Sequence, residues 1–134
     1  MDTAPHYAVV TAAPAAFDAT VEALKAALAA QGFGIMCEID VSGTLKKKLD
    51  ADTPRTLILG ACNPHLALRA VTAAPDIATL LPCNVVVRQQ GEQVEIAMVN
   101  PVMMAMLIRH PEVDAVATEA DQRLRAAINA VING

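Results

Sequence analysis

The sequence predicts an α+β fold: a two-layer sandwich in which helices pack on one face of a mainly antiparallel sheet of about five strands. Apolar residues recur at helical spacing in some segments and at every second position in others, so both kinds of element are expected. Two β-rich runs, residues 84–89 and 94–99, are joined by a turn at Gly91 that is too short for a crossover helix. The 134 residues suffice for one hydrophobic core, and we expect a single domain over residues 1–134.

The N-terminal third predicts a strand, a helix and a second strand. A short apolar run at residues 7–11 is typical of a strand, and the helix after it is expected to begin near Pro14 and to stop at Gly32. Residues 33–41 alternate apolar and polar side chains, which indicates a half-buried strand. In this alternation Cys37 falls on the apolar face, and we expect it in the core.

The middle of the chain predicts a short helix, a strand and a third helix. Ser42 suits the cap of the short helix. Residues 55–61 form a run that is apolar after Arg55 and Thr56, which predicts a strand. Asn63 then suits the N-cap and Pro64 the first position of a helix that runs to about residue 74.

The C-terminal half predicts a hairpin followed by two helices. A short connection at residues 77–81 leads to Pro82, where the first hairpin strand opens. Asn100 and Pro101 repeat the signal of a cap followed by proline and begin a methionine-rich helix, whose methionines we expect to fill the core. A long terminal helix follows, with one apolar face. That face consists of Val113, Val116, Ala120, Leu124, Ile128 and Val131.

The composition argues against several kinds of partner. The formal net charge is −4, aromatic residues make up 2%, and the lysines at 46–48 are the one basic cluster, so no nucleic-acid partner is expected. No apolar run approaches the roughly 18 residues that span a bilayer, so no membrane partner is expected. The first residues lack the basic and apolar regions of a secretory signal, and we expect a cytoplasmic protein.

The cysteines carry the one unusual pattern. There are three of them, widely spaced, which does not suit a disulfide framework, so reduced thiols are expected. The dipeptide Cys-Asn occurs twice, as Cys62-Asn63 where one predicted strand ends and as Cys83-Asn84 where another begins. Because side chains at strand ends meet at the rim of a sheet, we expect these four residues to form a corner that binds a small ligand or a protein partner.

Other functions of the same corner stay open. Cys62 precedes a helix N-terminus, where backbone amides favour a thiolate, so Cys62 and Cys83 are candidate catalytic residues of a thiol-dependent redox or sulfur-transfer protein. With His65 they could form a soft-metal or haem-type site, but no tight cluster supplies a fourth ligand and no metal ligands are assigned. Alternatively, the cysteines have no chemical role and only fill space in the core. The chain between them can turn back at Pro75, so we expect their sulfurs within about 8 Å of each other.

Several short motifs resemble one known family. They are the two Cys-Asn dipeptides together with the segments 31–34 (QGFG), 38–41 (EIDV) and 44–46 (TLK). Over about residues 9–124 the chain resembles the bacterial and archaeal family known as domain of unknown function 302. The family motif covers Asp40, Cys62, Asn63, Pro64, Pro82, Cys83 and Asn84.

This resemblance implies a compact α+β fold with helices on one face of an antiparallel sheet, and a homodimer. It adds Asp40 to the candidate ligand-binding residues. It implies neither an enzymatic activity nor a cofactor, so both stay unassigned. A further hypothesis is therefore a purely structural homodimer module whose sheet is completed by a partner.

Overall fold

The computed structural model describes residues 7–134 of the chain. It contains five strands, five α-helices and one 3₁₀ helix within that range. In chain order they are β1 (Ala8–Ala13), α1 (Phe17–Ala30), β2 (Gly34–Asp40), α2 (Val41–Leu49), β3 (Thr56–Cys62), α3 (Pro64–Ala73), the 3₁₀ helix (Pro75–Leu80), β4 (Cys83–Gln90), β5 (Gln93–Val99), α4 (Pro101–Ile108) and α5 (Pro111–Asn133).

The five strands form one sheet in the order β1-β5-β4-β3-β2. Every neighbouring pair is antiparallel, including the predicted hairpin of β4 and β5. The predicted fold class is therefore confirmed. Because β3 and β4 are antiparallel neighbours, the end of β3 lies beside the beginning of β4, and this placement determines the geometry of the Cys-Asn corner.

The helices α1, α3, α4 and α5 form the second layer. α1 contacts β2 and β4, α5 contacts α1, α3, α4 and β1, and the buried apolar side chains form one cluster between the layers. The predicted apolar face of α5 is confirmed, since five of its six residues are buried and Val131 packs against the same cluster. None of the helices within residues 7–134 is long and apolar enough to span a bilayer.

Local sequence signals place most element ends correctly. The Oδ1 atom of Asn63 accepts a hydrogen bond from the backbone N–H of Leu66 at 3.2 Å, as expected of an N-cap. Asn100 caps α4 in the same way. Gly32 and Gly91 adopt φ angles of +85° and +63°, in the region where glycine is favoured.

Two predicted helix starts are wrong. β1 continues to Ala13 and Ala16 is still extended, so Pro14 lies in the connection, and α1 begins only at Phe17. The cap of α2 is Asp40 rather than Ser42. The Asp40 carboxylate accepts hydrogen bonds from the Gly43 backbone N–H at 2.9 Å and from the Ser42 hydroxyl at 3.1 Å, so the helix begins two residues earlier than expected.

The core position predicted for Cys37 is also wrong, because β2 contains a β-bulge. The pairing shifts between Ile35, which is opposite Ala61, and Cys37, which is opposite Gly60. An extra residue in a strand reverses the alternation of faces after it. Cys37 is therefore exposed on the face away from the helices, and Glu38 points to the helical layer, where it forms an ion pair with Lys25 of α1 at 3.0 Å.

Candidate functional site

The two Cys-Asn dipeptides meet at one rim of the sheet. Cys62 is the last residue of β3 and Cys83 the first of β4, and the Cα atom of Cys83 is paired with that of Ala61, directly before Cys62. Adjacent strands lie about 4.8 Å apart, so the two cysteines are close neighbours along the rim. The antiparallel pairing brings them together, and the chain between them, which contains α3 and the 3₁₀ helix, leaves this rim and returns to it.

Asn63 joins the cysteines through its structural role as the cap of α3. The residue is 8% exposed, and its amide lies against the backbone of Gly32, where a Cβ atom would be 3.0 Å from Nδ2. The loop after α1 is thus fitted to Asn63. Both the positive φ of Gly32 and its missing side chain serve this contact.

Cys62, Asn63 and Cys83 line one cavity of about 40 Å³ between the rim of the sheet and the helices. The remaining walls come from the loop before β2, α3, the 3₁₀ helix and its following loop, α4 and α5. None of the described lining residues is charged. A space of this size exceeds what a single water molecule requires, and apolar walls disfavour water.

The two thiols differ in their surroundings. Both line the cavity, but Cys62 is half-buried whereas Cys83 is buried. Burial, with a smaller contribution from the neighbouring Cys62, raises the pKa of the Cys83 thiol to about 11. Cys83 is therefore a protonated, apolar wall residue at neutral pH.

Asn84 and Asp40 do not reach this cavity. Successive residues of a strand point to opposite faces, so Asn84 lies exposed on the other face of the sheet, opposite Gly60. Asp40 is paired with Leu57, near the start of β3, and caps α2. It therefore lies at the far end of the strand that Cys62 terminates.

His65 does not join the cysteines in a metal site. It is exposed on the first turn of α3. Within residues 7–134 no three His, Cys, Asp or Glu side chains lie close enough together to hold a metal ion. The set of Cys62, His65 and Cys83 is thus not assembled.

Other cavity residues had no signal in the sequence. Phe33, Met104 and Val116 belong to three separate segments, and ordinary apolar periodicity is all that marks them. The expectation that the methionines fill the core holds for Met104, which is buried, whereas Met106 of α4 is 62% exposed. Helical spacing alone does not identify which core residues border a cavity.

Gly60 is a further residue beside this corner that no sequence signal marked. A Cβ atom there would lie 2.5 Å from the Sγ atom of Cys37 and 2.9 Å from the Cγ atom of Pro82. The absence of a side chain at Gly60 thus leaves room for the Cys37 thiol and the Pro82 ring beside the cysteine corner.

We expect Gly60→Ala to lower the free energy of unfolding by about 1–3 kcal/mol, because the added methyl group would overlap the Cys37 sulfur and the Pro82 ring. Cys37→Ala removes the nearer of the two atoms and should restore part of that loss in the double variant. Denaturant unfolding of the wild type, the two single variants and the double variant measures the coupling energy between the two positions. Additive effects of the two substitutions would contradict the contact.

Comparison with known proteins agrees with this architecture. A search of curated proteins gave no match. Among solved structures, the crystal structure of a DUF302 protein from Bacillus stearothermophilus is similar, with a TM-score of 0.89 and 25% identity over 95% of this chain and 99% of that one. The family described as "Domain of unknown function DUF302" matches residues 8–131. Because this match spans nearly the whole chain, the protein belongs to the DUF302 family.

Proposed function

We propose that this domain binds a small molecule, or the small apolar end of a larger molecule or protein partner, in the cavity beside Cys62, Asn63 and Cys83. The observation that carries the proposal is the cavity itself. It lies where the two dipeptides meet, and it is open toward solvent at the half-buried Cys62, Ala67, Leu81 and Pro82. Ligand sites are typically concave, mostly apolar and supplied with few polar groups.

The chemistry of the walls defines the group that fits. Without a charged side chain on the described walls, a charged group buried there would lose its hydration without compensation. An uncharged aliphatic or sulfur-containing group loses little hydration free energy when it enters the cavity. At about 40 Å³ the cavity is smaller than the roughly 150 Å³ cavities that hold benzene, so we expect a short chain or branch rather than a ring.

Asn63 supplies the polar contact in this proposal. Its Oδ1 atom is engaged in capping α3, so its Nδ2 group is the side-chain amide donor on the cavity wall. A carbonyl or hydroxyl oxygen of the bound molecule would accept from it. The thiols of Cys62 and Cys83 would contact the apolar part.

The thiol-based alternative is less well supported. Exchange with a disulfide requires a thiolate, and burial holds the pKa of Cys83 at about 11. Because Cys83 is protonated at neutral pH, a redox or sulfur-transfer role for the pair would need this thiol to be deprotonated by another group. No described lining residue is a base suited to that step.

Titration with methanol, ethanol, 1-propanol and 1-butanol, followed by amide NMR, tests the proposal. We expect shifts at cavity residues and an affinity that rises up to about fourfold for each added methylene until the cavity is full, because each buried methylene contributes about 0.8 kcal/mol. Absence of shifts at the amides of Cys83 and Val116 would contradict it.

Two matched variants on α3 complete this experiment. Ala67→Leu places three extra carbon atoms at the cavity and should weaken butanol binding on the order of tenfold. Ala73→Leu makes the same change at another half-buried position of the helix that does not line the cavity, so it should bind as the wild type does. Equal affinities of the two variants would place the binding elsewhere.

A further inference from the structure

The face of the sheet that points away from α1 and α5 carries a continuous apolar row. We call this side of the sheet the open face. Antiparallel pairing aligns one residue from each strand across it, from β1 at one edge to β2 at the other. These residues are Val10, Ala97, Val86, Ile58 and Ile39.

Two further rows of side chains flank this apolar row on the open face, and neither carries a net charge. On one side the open face presents Ala8, Val99, Asn84, Gly60 and Cys37. On the other side Arg88 and Glu95 stand opposite each other and form an ion pair at 2.9 Å. The open face therefore contains one charge of each sign on these strands, already paired.

No helix of the described chain covers this row. Glu38 lies on the other face of the sheet with Leu59, and its ion pair with Lys25 places α1 there. The contacts of α5 with α1, α3 and α4 put those helices in the same layer. α2 touches β3 but buries none of its own side chains, so it does not pack across the row. Val10 and Ile39, on the two edge strands, are accordingly 46% and 47% exposed, whereas Val86 and Ile58 are half-buried and the small side chain of Ala97 is buried.

Such a face is unusual for a sheet that contacts water. An antiparallel sheet covered on one side normally alternates apolar and polar residues, whereas β3 reads as one apolar run, as in sheets covered on both sides. Exposed apolar areas of several hundred Å² commonly mark an interface. We propose that a second copy of this chain covers the open face, so that the two sheets pack face to face in a two-fold symmetric dimer.

Area and charge both favour a second copy. Five strands spaced about 4.8 Å apart, each about 20 Å long, give roughly 500 Å² of projected face per copy. Two such faces bury about 1,000 Å² together, which is the lower limit for a specific protein–protein interface. Because Arg88 and Glu95 neutralise each other, two identical faces meet without net repulsion. Val86 on the central strand β4 then lies near the two-fold axis.

Sedimentation velocity over a range of protein concentrations tests this dimer. We expect the wild type to have twice the mass of one chain, and Val86→Lys to raise the dimer dissociation constant on the order of 100-fold, since it brings two unpaired charges to the centre of the interface. Leu68→Lys is the matched control. It changes a leucine of α3 that is 67% exposed and should leave the mass unchanged.

A second variant and a second readout guard against misfolding of Val86→Lys. The double variant Val10→Lys/Ile39→Lys changes two half-exposed positions and should also be monomeric, with an unchanged far-ultraviolet circular dichroism spectrum. Alkylation of Cys37, followed by peptide mass spectrometry, should be faster in the monomeric variants than in the wild type. A monomeric wild type would overturn the proposal. Lysine variants that remain dimeric would overturn it too, because a dimer that pairs the sheets edge to edge would not be disrupted by these substitutions. Either result leaves the cavity proposal untouched.

Discussion

Replacing Leu59 with alanine is expected to lower the free energy of unfolding by about 3 kcal/mol. Leu59 lies in the middle of β3 with no exposed surface and belongs to the apolar cluster between the sheet and the helices. Truncating a fully buried leucine costs its transfer free energy and leaves a cavity, and such changes typically cost about 2–5 kcal/mol. A domain of this size is stable by only about 5–15 kcal/mol, so the loss is easily measured by denaturant unfolding.

Leu68→Ala is the matched control for this measurement. Leu68 lies on the outer side of α3 and is 67% exposed, so the same truncation should cost less than about 1 kcal/mol. Equal losses in the two variants would contradict the division of the molecule into a helical layer and a sheet.

Stability is expected to fall at alkaline pH because of Cys83. Its pKa rises from an ordinary value of 9.0 to about 11 on folding, so the folded state favours the protonated thiol. The resulting stabilisation is complete below pH 9 and is lost as the pH rises through 11. By pH 10 the loss from this group should be roughly 1 kcal/mol, and above pH 11 it approaches roughly 3 kcal/mol.

Unfolding of the wild type and Cys83→Ala at pH 7.5, 9 and 10 isolates this effect from the titration of other groups. The difference in unfolding free energy between the two proteins should shrink by roughly 1 kcal/mol from pH 7.5 to 10. Leu68→Ala, which removes no titratable group and changes an exposed residue, should show the same dependence of stability on pH as the wild type. A constant difference between the wild type and Cys83→Ala would show that the Cys83 thiol is not desolvated.

The candidate site could be predicted from the sequence only in part. The repeated dipeptide identified Cys62, Asn63 and Cys83, because an N-cap and a strand end are local features that spacing reveals. Asn84 and Asp40 were grouped with them, but the alternation of β4 turns Asn84 to the open face and the register of β2 places Asp40 at the other end of β3. The cytoplasmic location and the exclusion of nucleic acid rest on composition and stay predictions.

Cys37 shows why a local pattern fails at a bulge. Strict alternation over residues 33–41 predicted its side chain in the core. The extra residue in β2 is specified by pairing with β3, where Gly60 accommodates Cys37 and Pro82 from distant parts of the chain. A single additional residue exchanges the two faces of the strand after it. The apolar row of the open face, which includes Ile39, is visible only once this register is known.

The sequence by itself determined the element order, the antiparallel hairpin, the apolar face of α5 and the cap of α3, because these depend on neighbours within a few residues. Only the tertiary structure decided the strand order, the meeting of Cys62 with Cys83 and the walls of the cavity they share. Each of these depends on contacts between residues far apart in the chain. Such contacts form where the whole chain buries the most apolar surface with its backbone hydrogen bonds satisfied, and no local spacing encodes that balance.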